Sequence, residues 1–378
     1  MKVSKPYILI ATIIVIAGVI DFINANSVSK KGSDEAISVV PRMSSEQSGT
    51  KKEEKSKRYE LAKEITTPDG YINTDGKAIA INSLIGKKVI LIDFWTYSCI
   101  NCQRTTPYLN AWYEKYKDKG FVIIGIHTPE FGFEKDYNNV KAAVEKFGIK
   151  FPVVLDNDYS TWTAYKNQYW PRKYLIDIDG YVVYDHIGEG QYEETEQKIQ
   201  EALGERMAIL GEDGTIDKAI TKEIPVQGGP KSPETYFGAT SNQFFGNGTR
   251  GVVGDQKSLI APAKINPDTL YLSGDCNIAN ESAQNGSPNA GIEYKYNAKD
   301  VFFVSQADNE IVVEVLRDGE PLGSEAGADI VKNSDGKTFV KIKEARLYKI
   351  IQGDRSEAHI IEFRILKPGL EAFTFTFG

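Results

Sequence analysis

Val89-Ile90-Leu91-Ile92-Asp93-Phe94-Trp95 is an apolar run broken by one acid, and Thr96-Tyr97-Ser98-Cys99-Ile100-Asn101-Cys102 follows it directly. A continuous run of this length reads as a central β-strand covered on both faces. Thr96-Tyr97-Ser98 then turns the chain. Leu109, Trp112, Tyr113 and Tyr116 recur at helical spacing, so the Cys99-x-x-Cys102 pair opens a helix. A helix N-terminus offers unpaired amides and the positive end of the dipole, both of which stabilise a thiolate. Cys99, nearer the solvent-facing tip, is the expected attacking thiol on a substrate disulfide. Cys102, one turn further in, is the expected resolving thiol of the mixed disulfide.

Outward from this point the pattern keeps alternating. Phe121 to Ile126 reads as a strand, Asn138 to Phe147 as a helix, Phe151 to Leu155 as a strand and Ser160 to Tyr165 as a short helix. Lys173 to Ile178 and Tyr181 to Ile187 form a hairpin around Asp179-Gly180, and Tyr192 to Leu203 is a closing helix ended by Gly204. The result is an α/β domain over residues 58–210, a mixed sheet with helices on both faces.

Upstream, Lys2 and Lys5 precede Ile8 to Ile20, which carries no charge. This is the n-region and h-region of an export signal. The apolar stretch is shorter than the roughly 20 residues of a comfortable membrane span, and residues 1–25 are read as a signal peptide or a signal-anchor. Residues 26–57 are rich in Ser, Lys and Glu and are expected to form a flexible tether. The expected location is extracytoplasmic: membrane-tethered, or in the periplasm or cell envelope.

Composition narrows the function. With 41% hydrophobic and 26% charged residues over 378 positions, most of the chain folds, into more than one domain. Forty-five Lys and Arg against 52 Asp and Glu leave a net charge of -7, which argues against a nucleic-acid partner. Cysteines stand only at positions 99, 102 and 276, too few for a disulfide framework or for a four-thiolate metal site within one chain. No cofactor and no metal are expected, only a redox-active Cys99–Cys102 disulfide. Cys276 reads as a partly buried thiol, with a third redox role left open.

After Gly214 the composition shifts, and Val226-Gln227-Gly228-Gly229-Pro230 marks a linker over residues 211–231. Residues 232–378 alternate with period two: Asp268 to Leu272, Gly291 to Tyr296, Asp300 to Ser305, Glu310 to Leu316, Thr338 to Ile342, Arg346 to Ile351, Ala358 to Leu366 and Ala372 to Phe377. Short strands with turns such as Asp318-Gly319 and Asp335-Gly336 imply an all-β sandwich, jelly-roll-like. Tyr236, Phe237, Phe244, Phe245 and Tyr271 either stack on a glycan or pack within and between domains.

The strand ending Asp93-Phe94-Trp95, the Cys99-x-x-Cys102 pair, Pro107 in the following helix and Trp170-Pro171 before the hairpin together resemble the thioredoxin superfamily. The likeness covers about residues 58–205, in the exported branch that includes TlpA-like and cytochrome c maturation reductases. It implies that Asp93 is the buried acid assisting proton transfer from the resolving thiol, and that Pro171 is the cis-proline facing the disulfide. Trp95, Ile100, Asn101, Glu130 and Trp170 are expected around the site, Trp95 and Trp170 as packing walls or a substrate platform and Glu130 as a gate or a helix-start residue. Ile100-Asn101, together with His127-Thr128-Pro129-Glu130-Phe131, is most similar to the exported part of DipZ-type proteins. Ser232-Pro233-Glu234-Thr235-Tyr236-Phe237-Gly238, Ile292-x-Tyr294-x-Tyr296 and Ala345-Arg346-Leu347-Tyr348 resemble their appended module, which is similar in shape to carbohydrate-binding modules. The resemblance implies disulfide-containing protein substrates and a membrane electron carrier of the thiol-transferring type, here a separate partner. A glycan- or protein-binding surface protein with a secondary redox domain, a thiol peroxidase and a copper-delivery protein of related fold are the alternatives.

Overall fold

The computed structural model describes residues 43–222 and 231–378. The apolar stretch from Ile8 to Ile20 and the glycines before Pro230 lie outside them. Residues 45–57, expected inside a flexible tether, form all but the last residue of helix α1 (Ser45–Arg58). Ser44 caps it reciprocally: Gln47 N–H donates to Ser44 Oγ (3.3 Å) and Ser44 N–H to the Gln47 side chain (3.0 Å). Lys55 then docks the helix, its Nζ 2.6 Å from Asp177, 3.0 Å from Asp179 and 2.8 Å from Glu205. The segment is as poor in apolar residues as the sequence says; ionic contacts hold it instead.

The first domain is built on β1 (Gly70–Ile72), β2 (Val89–Trp95), α2 (Ile100–Tyr116), β3 (Phe121–His127), α3 (Tyr137–Lys146), β4 (Val153–Leu155), α4 (Ser160–Ala164), β5 (Arg172–Ile176), β6 (Val182–Ile187) and α5 (Tyr192–Leu210). Its six strands lie in the order β1-β4-β3-β2-β5-β6, with β2 parallel to β3 and β3 to β4 and the other pairs antiparallel. Every residue of β2 is buried, as the apolar run requires. Strand alternation splits it: Val89, Leu91 and Trp95 join the core against α2, α3 and α5, whereas Ile90, Ile92 and Phe94 face Tyr165 and Trp162 at α4. Helix α5 runs through Gly204 and stops at Gly211, which takes the left-handed conformation at φ 64°. Arg206, Met207 and Ala208 beyond Gly204 are buried, and that packing carries the helix past its expected end.

The second domain contains β7 (Thr235–Tyr236), β8 (Gly254–Leu259), β9 (Leu270–Ile278), β10 (Ala283–Asn285), β11 (Ala290–Gln306), β12 (Ile311–Arg317), β13 (Glu320–Pro321), β14 (Ile330–Lys332), β15 (Thr338–Ile342), β16 (Arg346–Ile365) and β17 (Glu371–Phe377). Two pairs of expected short strands are each one long strand, β11 and β16, with register shifts at Ala298/Asp300 and Val301/Phe302. Those irregularities bend β11 so that its first half pairs with β9 and its second with β17. Because β17 pairs with β10, and β10 with β9, the circuit closes around one apolar core.

A separate apolar cluster joins the two domains. Ile100 and Phe131 of the first pack with Phe302, Val304, Leu347 and Phe373 of the second, all buried. Polar contacts rim it: Tyr97 Oη donates to Ala345 O (3.2 Å), Gly132 N–H to Glu281 (2.7 Å), and Arg104 pairs with Asp300 (3.4 Å).

Candidate active site

Cys99 is the N-cap of α2, with extended backbone (φ -76°, ψ 119°), and its Sγ accepts the Cys102 N–H at 3.3 Å. A cap position usually held by a serine, aspartate or asparagine oxygen is here held by sulfur. Both residues are thiols, Cys99 half-buried and Cys102 buried. The Trp170–Pro171 bond is cis, and the Trp170 carbonyl oxygen lies 3.9 Å from Cys99 Sγ. Trp170 is fixed in turn by its indole N–H to Thr128 O (3.0 Å) and by Trp162, ring centroids 4.3 Å apart.

Asp93 sits behind the pair at 2% exposure, with Oδ1 lacking a hydrogen-bond partner. Burial pushes its carboxyl up to about 7, against the pull of the Lys173 ammonium. Burial, then the neighbouring Cys99 sulfur, push the Cys102 thiol well up, and the Asp93 charge adds to this. Lys173 was not among the residues singled out from sequence. It lies opposite Asp93 in the β2–β5 register and is 0% exposed. Alternation in Lys173-Tyr174-Leu175-Ile176 puts the lysine on the face of Leu175, but both faces of this strand are buried, so the sequence alone does not mark the lysine as inward.

The remaining expected residues divide. Trp95 is 3% exposed and packs edge-on to His127, a wall rather than a platform. Ile100 is sealed under the second domain, while Asn101 is half-buried. Glu130 receives the Tyr236 hydroxyl of the second domain at 2.5 Å, and burial, then Glu234 and Glu134, push its carboxyl up. The loop beside Cys99 is held by a different acid, Glu134, which accepts Ser98 N–H (3.2 Å) and Ser98 Oγ–H (2.6 Å). His127 is fully buried and stacked on Tyr97; burial pulls its imidazole down to about 3. Among the described residues no cluster of His, Cys, Asp and Glu could hold a metal ion.

Of the five aromatics weighed as a glycan face, Phe237, Phe245 and Tyr271 are buried and Tyr236 joins the interdomain cluster, so these four pack, while Phe244 is half-buried. Cys276 is 8% exposed, and burial pushes its thiol up to about 12.

Comparison with known proteins agrees with this geometry. Residues 60–203 match the Redoxin family and residues 232–378 the family described as thioredoxin like C-terminal domain. Protein DipZ of Mycobacterium tuberculosis is 36% identical over 323 residues, 83% of this chain and 43% of that protein. The chain thus spans less than half the length of this relative. NHL repeat-containing protein 2 of Gallus gallus is 29% identical over 71% of this chain and 37% of its own length. Thiol-disulfide oxidoreductase ResA of Bacillus anthracis is 38% identical over 122 residues, 32% of this chain and 67% of that protein. With a sulfur-capped Cys-x-x-Cys helix on this sheet and these relatives on both sides of the linker, the chain belongs to the redoxin branch of the thioredoxin superfamily, in the DipZ-related group that carries a second, all-β domain.

Proposed function

We propose that this protein is an extracytoplasmic thiol-disulfide oxidoreductase that reduces protein disulfides through Cys99 and Cys102. The carrying observation is the half-buried Cys99 sulfur at the head of α2, bonded to Cys102 N–H, with Asp93 buried behind. Cys99 as thiolate attacks a substrate disulfide, forming a Cys99–substrate bond and releasing one substrate thiolate. Cys102 then gives its proton to the Asp93 carboxylate, and its thiolate attacks Cys99 Sγ. The Cys99–Cys102 bond forms, the second substrate thiolate leaves and takes up a proton, and two electrons have passed to the substrate. Trp170 O and Pro171 border the approach to Cys99.

Kinship with extracytoplasmic oxidoreductases supports the location. No helix among the described residues is long and apolar enough to cross a membrane. Re-reduction of the pair is assigned to a membrane thiol-transferring carrier, by likeness to the DipZ-type proteins. The test is reduction of insulin or a peptide disulfide by the dithiol protein. Cys99→Ala should abolish it, and an unchanged rate in that variant defeats the reading.

A further inference from the structure

Lysine is among the side chains least often found fully buried, and an ammonium in a protein interior is retained only where partners offset its desolvation. Lys173 is 0% exposed, burial pulls its ammonium below the usual lysine range, and among the described residues its one hydrogen bond is from Nζ to Gly188 O at 3.2 Å. Among the described residues no carboxylate lies within ion-pair distance of it. The groups around it come from every packed element: Asp93 from β2, Cys99 and Cys102 from α2, His186 opposite it on β6, Glu189 beyond β6, and the Tyr192 ring of α5 at 5.9 Å. Glu189 pairs with Arg104 at 3.3 Å, and burial, then the Lys173 charge, pull His186 down. Arg104 meets only Glu189 Oε1, so the groups that answer the ammonium are Asp93 first, then Cys102, Glu189 and Cys99.

We infer that Lys173 is a positioning residue of the resolving step, a buried ammonium that keeps the Cys102 thiolate attainable once Asp93 has taken its proton. Before that transfer the ammonium faces the Asp93 carboxylate across the β2–β5 pair. Afterwards Asp93 is neutral and the negative charge sits on Cys102, still beside the same ammonium. One buried cation thus balances the anion at both ends of the proton's path, and neither state leaves an uncompensated charge in the interior. The first attack, by half-buried Cys99 near solvent, depends on it less. This inference rests on the proposed thiol-disulfide chemistry.

The test separates the two attacks. Dithiobis-nitrobenzoate, mixed with the reduced protein in a Cys276→Ser background, releases one coloured thiolate when Cys99 attacks and a second when Cys102 resolves. Lys173→Met should slow the second release about tenfold or more, as loss of a unit charge that acts on Cys102 from within the protein interior implies. It should move the pH midpoint of that phase upward and leave the first within about twofold. An unchanged second phase with an unchanged pH profile overturns the inference. Absence of both phases in the parent protein defeats the oxidoreductase reading instead. Should Lys173→Met not fold, 15N spectra of lysine-labelled parent protein decide. A lysine Nζ resonance that shifts between the dithiol and disulfide states is expected, and a set of lysine resonances indifferent to the redox state overturns the inference.

Discussion

Asp93→Asn should stabilise the protein, and increasingly so as the pH rises. A carboxyl whose pKa is raised from 3.8 to about 7 on folding holds its proton more tightly in the native state, so native stability falls as pH climbs between those values. Below 3.8 both states are protonated and the residue costs nothing; above 7 the full cost of burying the carboxylate is present. The full shift corresponds to about 4 kcal/mol at 1.4 kcal/mol per unit, and the part developed between pH 5 and pH 8 is about 2.5 kcal/mol. Lys173 loses its opposing charge in the variant, which trims the gain at every pH where the lysine is protonated. The assay is urea unfolding of parent and variant, both reduced, at several pH values across that range. The signature is the widening gap. Two parallel stability curves, offset by a constant or coincident, would refute the argument that Asp93 is held as a strained acid.

Three other perturbations test the packing. Phe373→Ala removes a ring 5.1 Å from that of Phe131 and 4.8 Å from that of Phe133. It should cost about 3 kcal/mol and split one calorimetric unfolding transition into two; a single transition at the parental midpoint counts against the interdomain cluster. Lys55→Met strands Asp177, whose side chain is 1% exposed, without its cation. A loss of about 3 kcal/mol and faster proteolysis between α1 and β1 are expected, whereas parental cleavage kinetics argue that α1 is not docked by charge. Mass spectrometry after iodoacetamide at pH 8 should find Cys276 unmodified in the native protein and modified only in urea, because burial pushes that thiol up to about 12. Native labelling of Cys276 at the rate of Cys99 contradicts its burial.

Much of this site is written locally. Strand β2, the turn after it and the paired cysteines are contiguous, and period-two alternation alone sends Asp93 to the same face as Leu91 and Trp95. The paired short strands that fuse into β11 and β16 were visible as apolar alternations, but bulges keep a strand going where the pattern slips and only cross-strand register reveals them. Helix α1 escaped because its docking depends on Asp177 and Glu205, far along the chain, and not on its own apolar face. Lys173 escaped for a related reason: a lysine in a strand reads as solvent-facing until the neighbours on both sides are known. Glu134 likewise gave no sign that it, and not Glu130, would hold the loop at Ser98.

Ile100 lies between the two cysteines and beneath the second domain at once. In a free-standing redox domain the dipeptide inside such a motif is open to exchange, and drift there retunes the potential at little cost elsewhere. In this chain Ile100 is also a joint between two bodies. A change at that position trades chemistry against assembly, so its acceptable replacements are those that Phe302, Val304, Leu347 and Phe373 accommodate. Among homologues this residue should vary in step with those four, and a transplanted dipeptide would carry its redox character only together with the surface that covers it.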